Sequence, residues 1–441
     1  MKEKLPFSQL LSLSLMLFAL FFGAGNMIFP PAMGQAAGTN VWSALAGYIA
    51  TDVGLPLLTI AAVVFTGRTL SNLAGKVSKG FSVFFVALVY LLIGPLFAIP
   101  RTGSVSFELA LLPFLGEGSN TSLWSVVFTA IFFGLTYFLS ANPQKIVYIV
   151  GKILTPILLL SIFIIGLSAI VHPIGTLEAP VGDYTTIPFF KGLLEGYLAL
   201  DALAAGVFAL IVIENVEGMG IRGERSIVKY TLLAGLLAAV GLAVVYGILA
   251  YVGATSSPLG QFENGGQLLS AVANHMFGTV GMLILGVAVL FACLTTAIGL
   301  TTSFGDYFSR TYIKLEYNHV IIAVCVFSFL VSNVGLSQLI SITLPVLLMV
   351  YPLLMALVFT AFLDKLFQGR QAVYIGVLLG TAIISIPNGL EALAANYGMS
   401  LGVVSQWLTY VPFYELSLGW VIPAVLGGII GWIVSLVTKR V

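Results

Sequence analysis

Residues 22–31 read FGAGNMIFPP and interrupt a long apolar run that begins near the N-terminus. Gly23, Gly25 and Pro30 each disfavour an α-helix, and the side chain of Asn26 competes for nearby backbone groups. Such a break is costly if the run crosses a membrane, because the bilayer offers no water to backbone groups that lose their helical partners. The interpretation of this stretch therefore depends on whether the chain lies in water or in a membrane.

The composition indicates a membrane protein. Of the 441 residues, 59% are hydrophobic and only 8% are charged, whereas a soluble domain carries roughly 25% charged residues. The formal net charge of +1 favours no nucleic-acid partner. Because the composition is so apolar, membrane lipid is the expected surrounding. No appended soluble domain is evident, and we interpret 1–441 as a single transmembrane unit.

Twelve apolar segments of helix length follow one another along the chain, and we number them spans 1 to 12. They are too long and too continuously apolar for the strands of a membrane barrel. They lie at about 8–36, 41–66, 81–107, 122–140, 146–171, 191–215, 228–253, 278–306, 319–335, 338–363, 371–390 and 415–438. This pattern predicts an all-α polytopic membrane protein with twelve transmembrane helices.

The basic residues predict the orientation of the chain. A cytoplasmic N-terminus places 16 of the 18 Lys and Arg residues on the cytoplasmic side and leaves only Arg101 and Lys191 on or near the outer side. Cytoplasmic loops are enriched in Lys and Arg. We therefore expect both termini to be cytoplasmic and the protein to lie in the inner (plasma) membrane.

The break at 22–31 then has a physical interpretation. Unwound backbone at membrane depth persists where it lines a polar cavity or binds a ligand. Discontinuous helices near the midplane are typical of secondary transporters, where a half-helix N-terminus faces an anion and freed carbonyls coordinate a cation. The alternative is a proline kink closed by a neighbouring helix. Two glycines and an asparagine before Pro-Pro favour the transporter.

Span 6 carries a second candidate break. Residues 195–208 read EGYLALDALAAGVF and place Asp201 within an apolar run, five spans after the first break. The equivalent positions of the two breaks predict two inverted repeats of five spans each, at about 8–172 and 191–363. The additional spans would then occupy 371–438.

Span 8 adds a cluster of hydroxyl groups. Residues 291–303 read FACLTTAIGLTTS. The hydroxyls of Thr295 and Thr296 and the carbonyl of Ala292 are neutral oxygen ligands of the kind that hard cations accept. Alternatively, each threonine bonds back to the carbonyl four residues earlier. The residues alone leave both interpretations open.

Several of these segments resemble a known family. The stretches FALFFGAGNMIFPPAMG, PLFAIPRTGSVSFE at 95–108 and GYLALDALAAGVF at 196–208 resemble the branched-chain amino acid:cation symporter family. More distantly, GAGN followed by FP, and ACLTTA at 292–297, are similar to the sodium-coupled neurotransmitter and amino acid symporters. The resemblance implies a five-plus-five inverted-repeat fold, broken in helices 1 and 6, that carries leucine, isoleucine and valine inward with a cation. Na⁺ is the expected ion and H⁺ the alternative.

The resemblance also implies a binding site. The substrate carboxylate would meet the N–H groups of Ala24 and Gly25, next to Asn26, and the ammonium would meet carbonyls near the two breaks. The implied substrate set is Phe22, Ala24, Gly25, Asn26, Leu200, Asp201 and Leu203. The implied sodium ligands are the carbonyls of Ala19, Phe22 and Ala292 and the hydroxyls of Thr295 and Thr296. No cofactor, no other metal and no catalytic residue is implied.

Four ionisable residues within the spans have open roles. Asp201 is a candidate counter-charge for the cation, a partner for the ammonium, a proton carrier or a helix cap. Asp52 in span 2 and the pair Arg101 and Glu108 in span 3 are candidate structural ion partners or gate groups, with an outer-gate role considered for Arg101.

Other classes of function lack their motifs. The chain contains no Walker A, HExxH or GxSxG pattern and no paired catalytic carboxylates, so we expect neither an enzyme nor transport driven by ATP hydrolysis in this chain. An ion channel is disfavoured because no repeated filter loop is visible. The main alternative is a proton-coupled carrier of another small solute. The ranking of substrates, the stoichiometry and the oligomeric state remain open.

Overall fold

The computed structural model of the protein describes residues 4–116, 118–141, 155–311 and 315–438. Over these ranges the chain is built from helices and contains no β-strand. Helices satisfy their own backbone hydrogen bonds, which is the requirement that a bilayer imposes. The predicted all-α class is confirmed. The first part of predicted span 5, 146–154, lies outside the described residues.

Helices occupy the positions of the predicted spans. Four spans consist of two helices each: Phe7–Phe21 and Ala24–Ala37, Val41–Ile49 and Leu55–Phe65, Lys79–Leu91 and Ala98–Ala110, and Pro188–Glu195 and Asp201–Gly218. The others are Thr121–Ser140, Thr155–Val171, Glu224–Ala254, Gly265–Thr311, Tyr317–Ser332, Leu336–Phe362, Gln371–Ala395 and Val421–Thr438. Short helices at Leu70–Gly75 and Val403–Thr409 lie in the connections.

Most of these helices meet the length and hydropathy expected of a membrane span. Seven helical stretches of the described residues do so individually, and the bent pair in span 6 makes an eighth. One of the seven, Ala24–Phe65, contains parts of two predicted spans. Four further apolar helices are shorter than the length required of a span. The polytopic architecture is therefore confirmed, while the count of twelve and the repeat boundaries at 8–172 and 191–363 stay predictions.

Local interruptions occur within three of the spans. A π-helical turn at Ala50–Gly54 separates the two helices of span 2, and another at Leu92–Leu96 contains the non-helical residue Gly94. The helix Gly265–Thr311 is kinked at Gly278, which is where the sequence predicted that span 8 begins. Because π-turns in helices are frequent at functional sites, the two π-turns direct attention to the same region as the two breaks.

Very close helix contacts fix the broken spans against their neighbours. A Cβ added to Gly34 in span 1 would lie 2.0 Å from the carbonyl oxygen of Ala250 in span 7. A Cβ added to Gly192 in span 6 would lie 1.9 Å from the carbonyl oxygen of Ala44 in span 2. Only glycine permits such approaches, which are typical of helix packing in membranes. The half of span 1 that follows its break and the half of span 6 that precedes its break are therefore held against neighbouring helices, while Phe22 and Leu200 in the breaks are buried.

Candidate functional site

The break in span 1 consists of two residues, Phe22 and Gly23. Phe22 has φ −71° and ψ 82°, and Gly23 has φ −111° and ψ −160°. The N–H of Gly23 donates to the Asn26 side-chain oxygen at 3.2 Å, whereas in an unbroken helix it would donate to the carbonyl of Ala19. The break thus releases a carbonyl from the first half-helix, and the predicted interruption is confirmed.

The second half-helix of span 1 begins directly after the break. It runs from Ala24 to Ala37 and includes Pro30 and Pro31, so the prolines continue a helix that the sequence predicted they would disturb. Its first N–H groups, including those of Ala24 and Gly25, have no intrahelical partner. They also carry the positive end of the helix dipole. This is the geometry that receives an anion.

The break in span 6 is centred on Leu200. The helix Pro188–Glu195 continues as a 3₁₀ turn to Ala199, and Leu200 then adopts φ 73°, a left-handed conformation unfavourable for leucine. A new helix starts at Asp201, and the two halves are bent by 48°. Strain of this kind persists only where surrounding structure enforces it, and it concentrates at functional sites.

Asn26 connects four spans through its side chain. Its oxygen accepts the N–H of Gly23, so its amide nitrogen points the other way and donates to Asp201 Oδ2 at 2.7 Å. The same nitrogen lies 3.3 Å from Asp52 Oδ2 and also contacts the hydroxyl of Tyr246. All four side chains are buried. Asn26 is therefore the point at which the carboxylates of spans 2 and 6 meet the break of span 1.

Arg101 supplies a positive charge to this region. It is only 2% exposed, and its Nη1 donates to the carbonyl of Leu198 in the 3₁₀ turn of span 6. Its guanidinium also lies over the ring of Phe29, with Cζ 5.2 Å from the ring centroid. Arg101 does not form an ion pair with Glu108. Of the roles considered from sequence, partnership between these two residues is wrong, because Arg101 contacts span 6.

The hydroxyl cluster of span 8 divides into two kinds of threonine. Thr295 Oγ1 donates to the Ala292 carbonyl at 2.6 Å. This is a bond back to the helix backbone, as in the alternative interpretation, but it goes to the carbonyl three residues earlier instead of four. Thr296 Oγ1 is buried and has no hydrogen-bond partner. It lies 3.0 Å from the position that a Cβ on Gly23 would occupy. The Thr296 hydroxyl therefore borders the break of span 1.

A small cavity lies where these groups converge. Its volume is about 30 Å³, and its walls come from spans 1, 3, 6 and 8. Of the residues predicted from sequence, it is bordered by Ala24, Gly25, Asn26, Leu200, Asp201 and Thr296. Phe22, Leu203, Ala19, Ala292 and Thr295 do not border it.

Two residues of the site, Asp52 and Tyr246, carry little signal in the sequence. Asp52 was noted only as an ionisable residue within a span, and nothing in its neighbourhood connected it to Asn26. Tyr246 was not identified, because one tyrosine in an apolar span carries no distinguishing pattern. Intramembrane charge was the available signal for Asp52 and Arg101.

The fold and the site together define a class of protein. Two broken helices place backbone ends and buried charges around one cavity inside a bundle of apolar helices, which is the construction of a secondary transporter. The chain belongs to the family described as "Branched-chain amino acid transport protein", whose sequence profile matches residues 7–438. It is accordingly a multi-pass cell-membrane transporter and not an enzyme.

Individual relatives agree with this assignment. The chain is 46% identical over 438 residues to "Branched-chain amino acid permease BraB" of Bacillus subtilis, covering 99% of this chain and 97% of the permease. Among solved structures, it is similar to MHP1, a nucleobase-cation-symport-1 family transporter, with a TM-score of 0.61 and 17% identity over 95% of this chain and 90% of that one. It is also similar to MhsT in complex with L-phenylalanine, with a TM-score of 0.52 and 16% identity over 96% and 98% of the two chains. These two structural likenesses show the fold.

Proposed function

We propose that this chain imports leucine, isoleucine and valine across the cell membrane together with a cation, which is Na⁺. The substrate class is supported by the family and by the permease to which the chain is 46% identical. The observation that carries the proposal is the shared cavity. This cavity brings together the free N–H groups after Gly23, the carboxylate of Asp201 and the unpartnered hydroxyl of Thr296.

The amino acid would be bound by its charged ends. The N–H groups of Ala24 and Gly25 point from a helix N-terminus and suit the α-carboxylate. The Asp201 carboxylate and the carbonyls around Leu200 suit the α-ammonium. The hydrocarbon side chain would then lie among apolar wall residues such as Ile93, Ala204 and Phe208. Since one methylene in an apolar pocket changes the binding free energy by only about 1–3 kcal/mol, we expect the three branched side chains to be accepted together.

The cavity of about 30 Å³ has room for one or two water molecules and not for leucine. The loaded state must therefore be wider. The two breaks are the natural places for that widening, since Phe22, Gly23 and Leu200 already interrupt the helical hydrogen bonds. Movement of the half-helices about these residues would enlarge the cavity without unfolding a complete span.

The cation would be bound between span 1 and span 8. The Thr296 hydroxyl and the carbonyl released from Ala19 are neutral oxygens, and a desolvated Na⁺ requires several such ligands. The hydroxyl of Thr295 donates to the Ala292 carbonyl, yet both oxygens retain lone pairs for a cation. Phe22 completes the proposed set through its carbonyl.

Coupling to H⁺ is the second candidate, and one observation favours it. Asp52 and Asp201 both contact the amide nitrogen of Asn26, so two buried carboxylates lie close together. Such a pair is suited to binding a proton. The gradient experiment that closes the Discussion distinguishes the two ions.

Competition for uptake tests the substrate class. Radiolabelled leucine uptake into proteoliposomes should be inhibited by excess isoleucine and valine, and only weakly by leucinamide, which lacks the anionic carboxylate. Inhibition by leucinamide equal to that by isoleucine would refute the proposed role of the α-carboxylate. Failure of all three amino acids to be transported would refute the substrate class.

A further inference from the structure

Arg101 is a buried cation with unsatisfied donors. One of its nitrogens, Nη1, donates to the Leu198 carbonyl, while Nε and Nη2 are buried without a hydrogen-bond partner. A guanidinium is costly to desolvate, and donors left unpaired add to that cost. The side chain is only 2% exposed, so bulk water does not supply the missing partners. An arrangement of this kind favours a ligand that pairs with these donors in some state of the protein.

The unpaired donors belong to a group that borders the cavity. Arg101 forms part of the cavity wall, together with Gly25 and Asp201. A Cβ added to Gly25 would lie only 2.9 Å from Arg101 Nη1, so the guanidinium lies against the backbone at which we place the substrate carboxylate. The glycine at this position permits that approach.

The two unpaired nitrogens have the geometry of a carboxylate receptor. Nε and Nη2 lie on one edge of the planar guanidinium, and their N–H groups run parallel, which matches the two oxygens of a carboxylate. No carboxylate oxygen of the described residues lies within 4.0 Å of an Arg101 nitrogen. The protein's own acids therefore leave this edge unoccupied.

We propose that Arg101 binds the α-carboxylate of the substrate through Nε and Nη2, beside the N–H groups of Ala24 and Gly25. The inference rests on the proposed function, and it identifies the residue that selects for a free carboxylate. With Asp201 bordering the same cavity, the negative and positive ends of a zwitterionic amino acid each meet an opposite charge. The aliphatic side chain contributes no charge and contacts neither group.

This role differs from those of a structural cation or a gate. A structural cation would stabilise the fold whichever ligand is bound, so its loss would weaken the affinities for leucine and leucinamide equally. A gate would alter the rates of ligand exchange without altering the relative affinities. A carboxylate receptor instead changes the ratio of affinities for leucine and leucinamide. That ratio is the decisive quantity.

The experiment measures equilibrium binding to purified protein in lipid nanodiscs at saturating Na⁺, with leucine and leucinamide as probes. The wild-type protein should prefer leucine strongly. In Arg101→Gln, which removes the charge and the paired donors, leucine affinity should fall by about a hundredfold or more, whereas leucinamide affinity should change little. Arg101→Lys keeps the charge but lacks the paired donors, and it should show an intermediate preference. Arg222→Gln alters an exposed arginine in a connection and should behave as the wild type.

The outcomes separate the competing roles. Equal weakening of leucine and leucinamide, or an unchanged preference in the variants, would overturn the proposal. If Arg101→Gln does not fold, the preference measured in Arg101→Lys decides, and a wild-type ratio in that folded variant would overturn it as well. Absence of leucine, isoleucine and valine binding in the wild-type protein would instead refute the proposed function.

Discussion

Enlarging Gly25 by one methyl group tests the binding site directly. In Gly25→Ala, the new Cβ would lie 2.9 Å from Arg101 Nη1, 3.1 Å from Phe29 Cε2 and 3.3 Å from Ala199 Cα. The arginine and the phenylalanine can retreat, but Ala199 Cα is backbone in the 3₁₀ turn of span 6. The added group therefore pushes Arg101 away from the cavity and separates the two breaks.

The size of the effect follows from these contacts. Overpacking of a well-packed interior costs about 1–3 kcal/mol of folding free energy. Where the bound state bears that cost, because the substrate occupies the space into which Arg101 would retreat, each 1.4 kcal/mol is a tenfold loss of affinity. We expect Gly25→Ala to weaken leucine binding by roughly tenfold to a hundredfold. Gly25→Leu, whose side chain is larger than the cavity of about 30 Å³, should abolish binding in the protein that folds and inserts.

Isothermal titration of leucine into purified protein at fixed Na⁺ measures this effect. Gly134→Ala is the matched control, because a Cβ on this glycine in Thr121–Ser140 meets nothing within 4 Å, and its affinity should equal that of the wild type. Unchanged leucine affinity in Gly25→Ala, with retained affinity in Gly25→Leu, would show that the break serves only as a hinge.

Two further substitutions test the cation and the charge in span 6. Thr296→Ala removes a buried hydroxyl without a partner and should raise the Na⁺ concentration for half-maximal leucine uptake several-fold, with a smaller effect at saturating Na⁺. The control Thr302→Ala loses a hydroxyl bonded to the Ile298 carbonyl at 2.6 Å, and it should keep the wild-type Na⁺ dependence. An unchanged Na⁺ dependence in Thr296→Ala would remove Thr296 from the set of Na⁺ ligands. Asp201→Asn preserves the shape of a side chain that accepts from Asn26 at 2.7 Å but removes its charge, so uptake should be severely reduced with residual binding. Normal transport by Asp201→Asn between about pH 6 and pH 8 would exclude a charge-bearing role for Asp201.

The sequence predicted the features of the fold that depend on local composition. Long apolar runs must become helices in a bilayer. Gly23, Gly25 and Asn26 are poor helix formers where a helix was otherwise expected, and Asp201 is a charged residue within an apolar run at the matching position of span 6. Both breaks were therefore visible before the structure. The sequence did not confine the break to Phe22 and Gly23, nor did it show that Pro30 and Pro31 continue the helix.

The parts of the site that depend on tertiary packing were not predictable. The direction of the Asn26 side chain is decided by the N–H of Gly23, and its contacts with Asp52 and Asp201 join residues far apart in the chain. Likewise, the contact of Arg101 with the Leu198 carbonyl requires spans 3 and 6 to be neighbours. A single sequence names such residues as unusual but does not pair them.

Coupling between cation and substrate follows from the shared break of span 1. The proposed cation ligands and the proposed carboxylate donors lie on either side of Gly23, so one ligand orders the backbone that the other uses. By linkage, Na⁺ and leucine must strengthen each other's binding by the same factor. Leucine affinity measured over a series of Na⁺ concentrations should rise together with Na⁺ affinity measured over a series of leucine concentrations. Independent binding of the two ligands would contradict a shared site.

The most direct test of the central claim is uptake of radiolabelled leucine by proteoliposomes that contain only this protein. An inward Na⁺ gradient should drive accumulation of leucine above its external concentration, and replacement of Na⁺ by choline should abolish it. A pH gradient alone, without Na⁺, should produce no accumulation. Accumulation driven by the pH gradient and indifferent to Na⁺ would contradict the sodium site at Thr296 and identify the protein as a proton-coupled carrier.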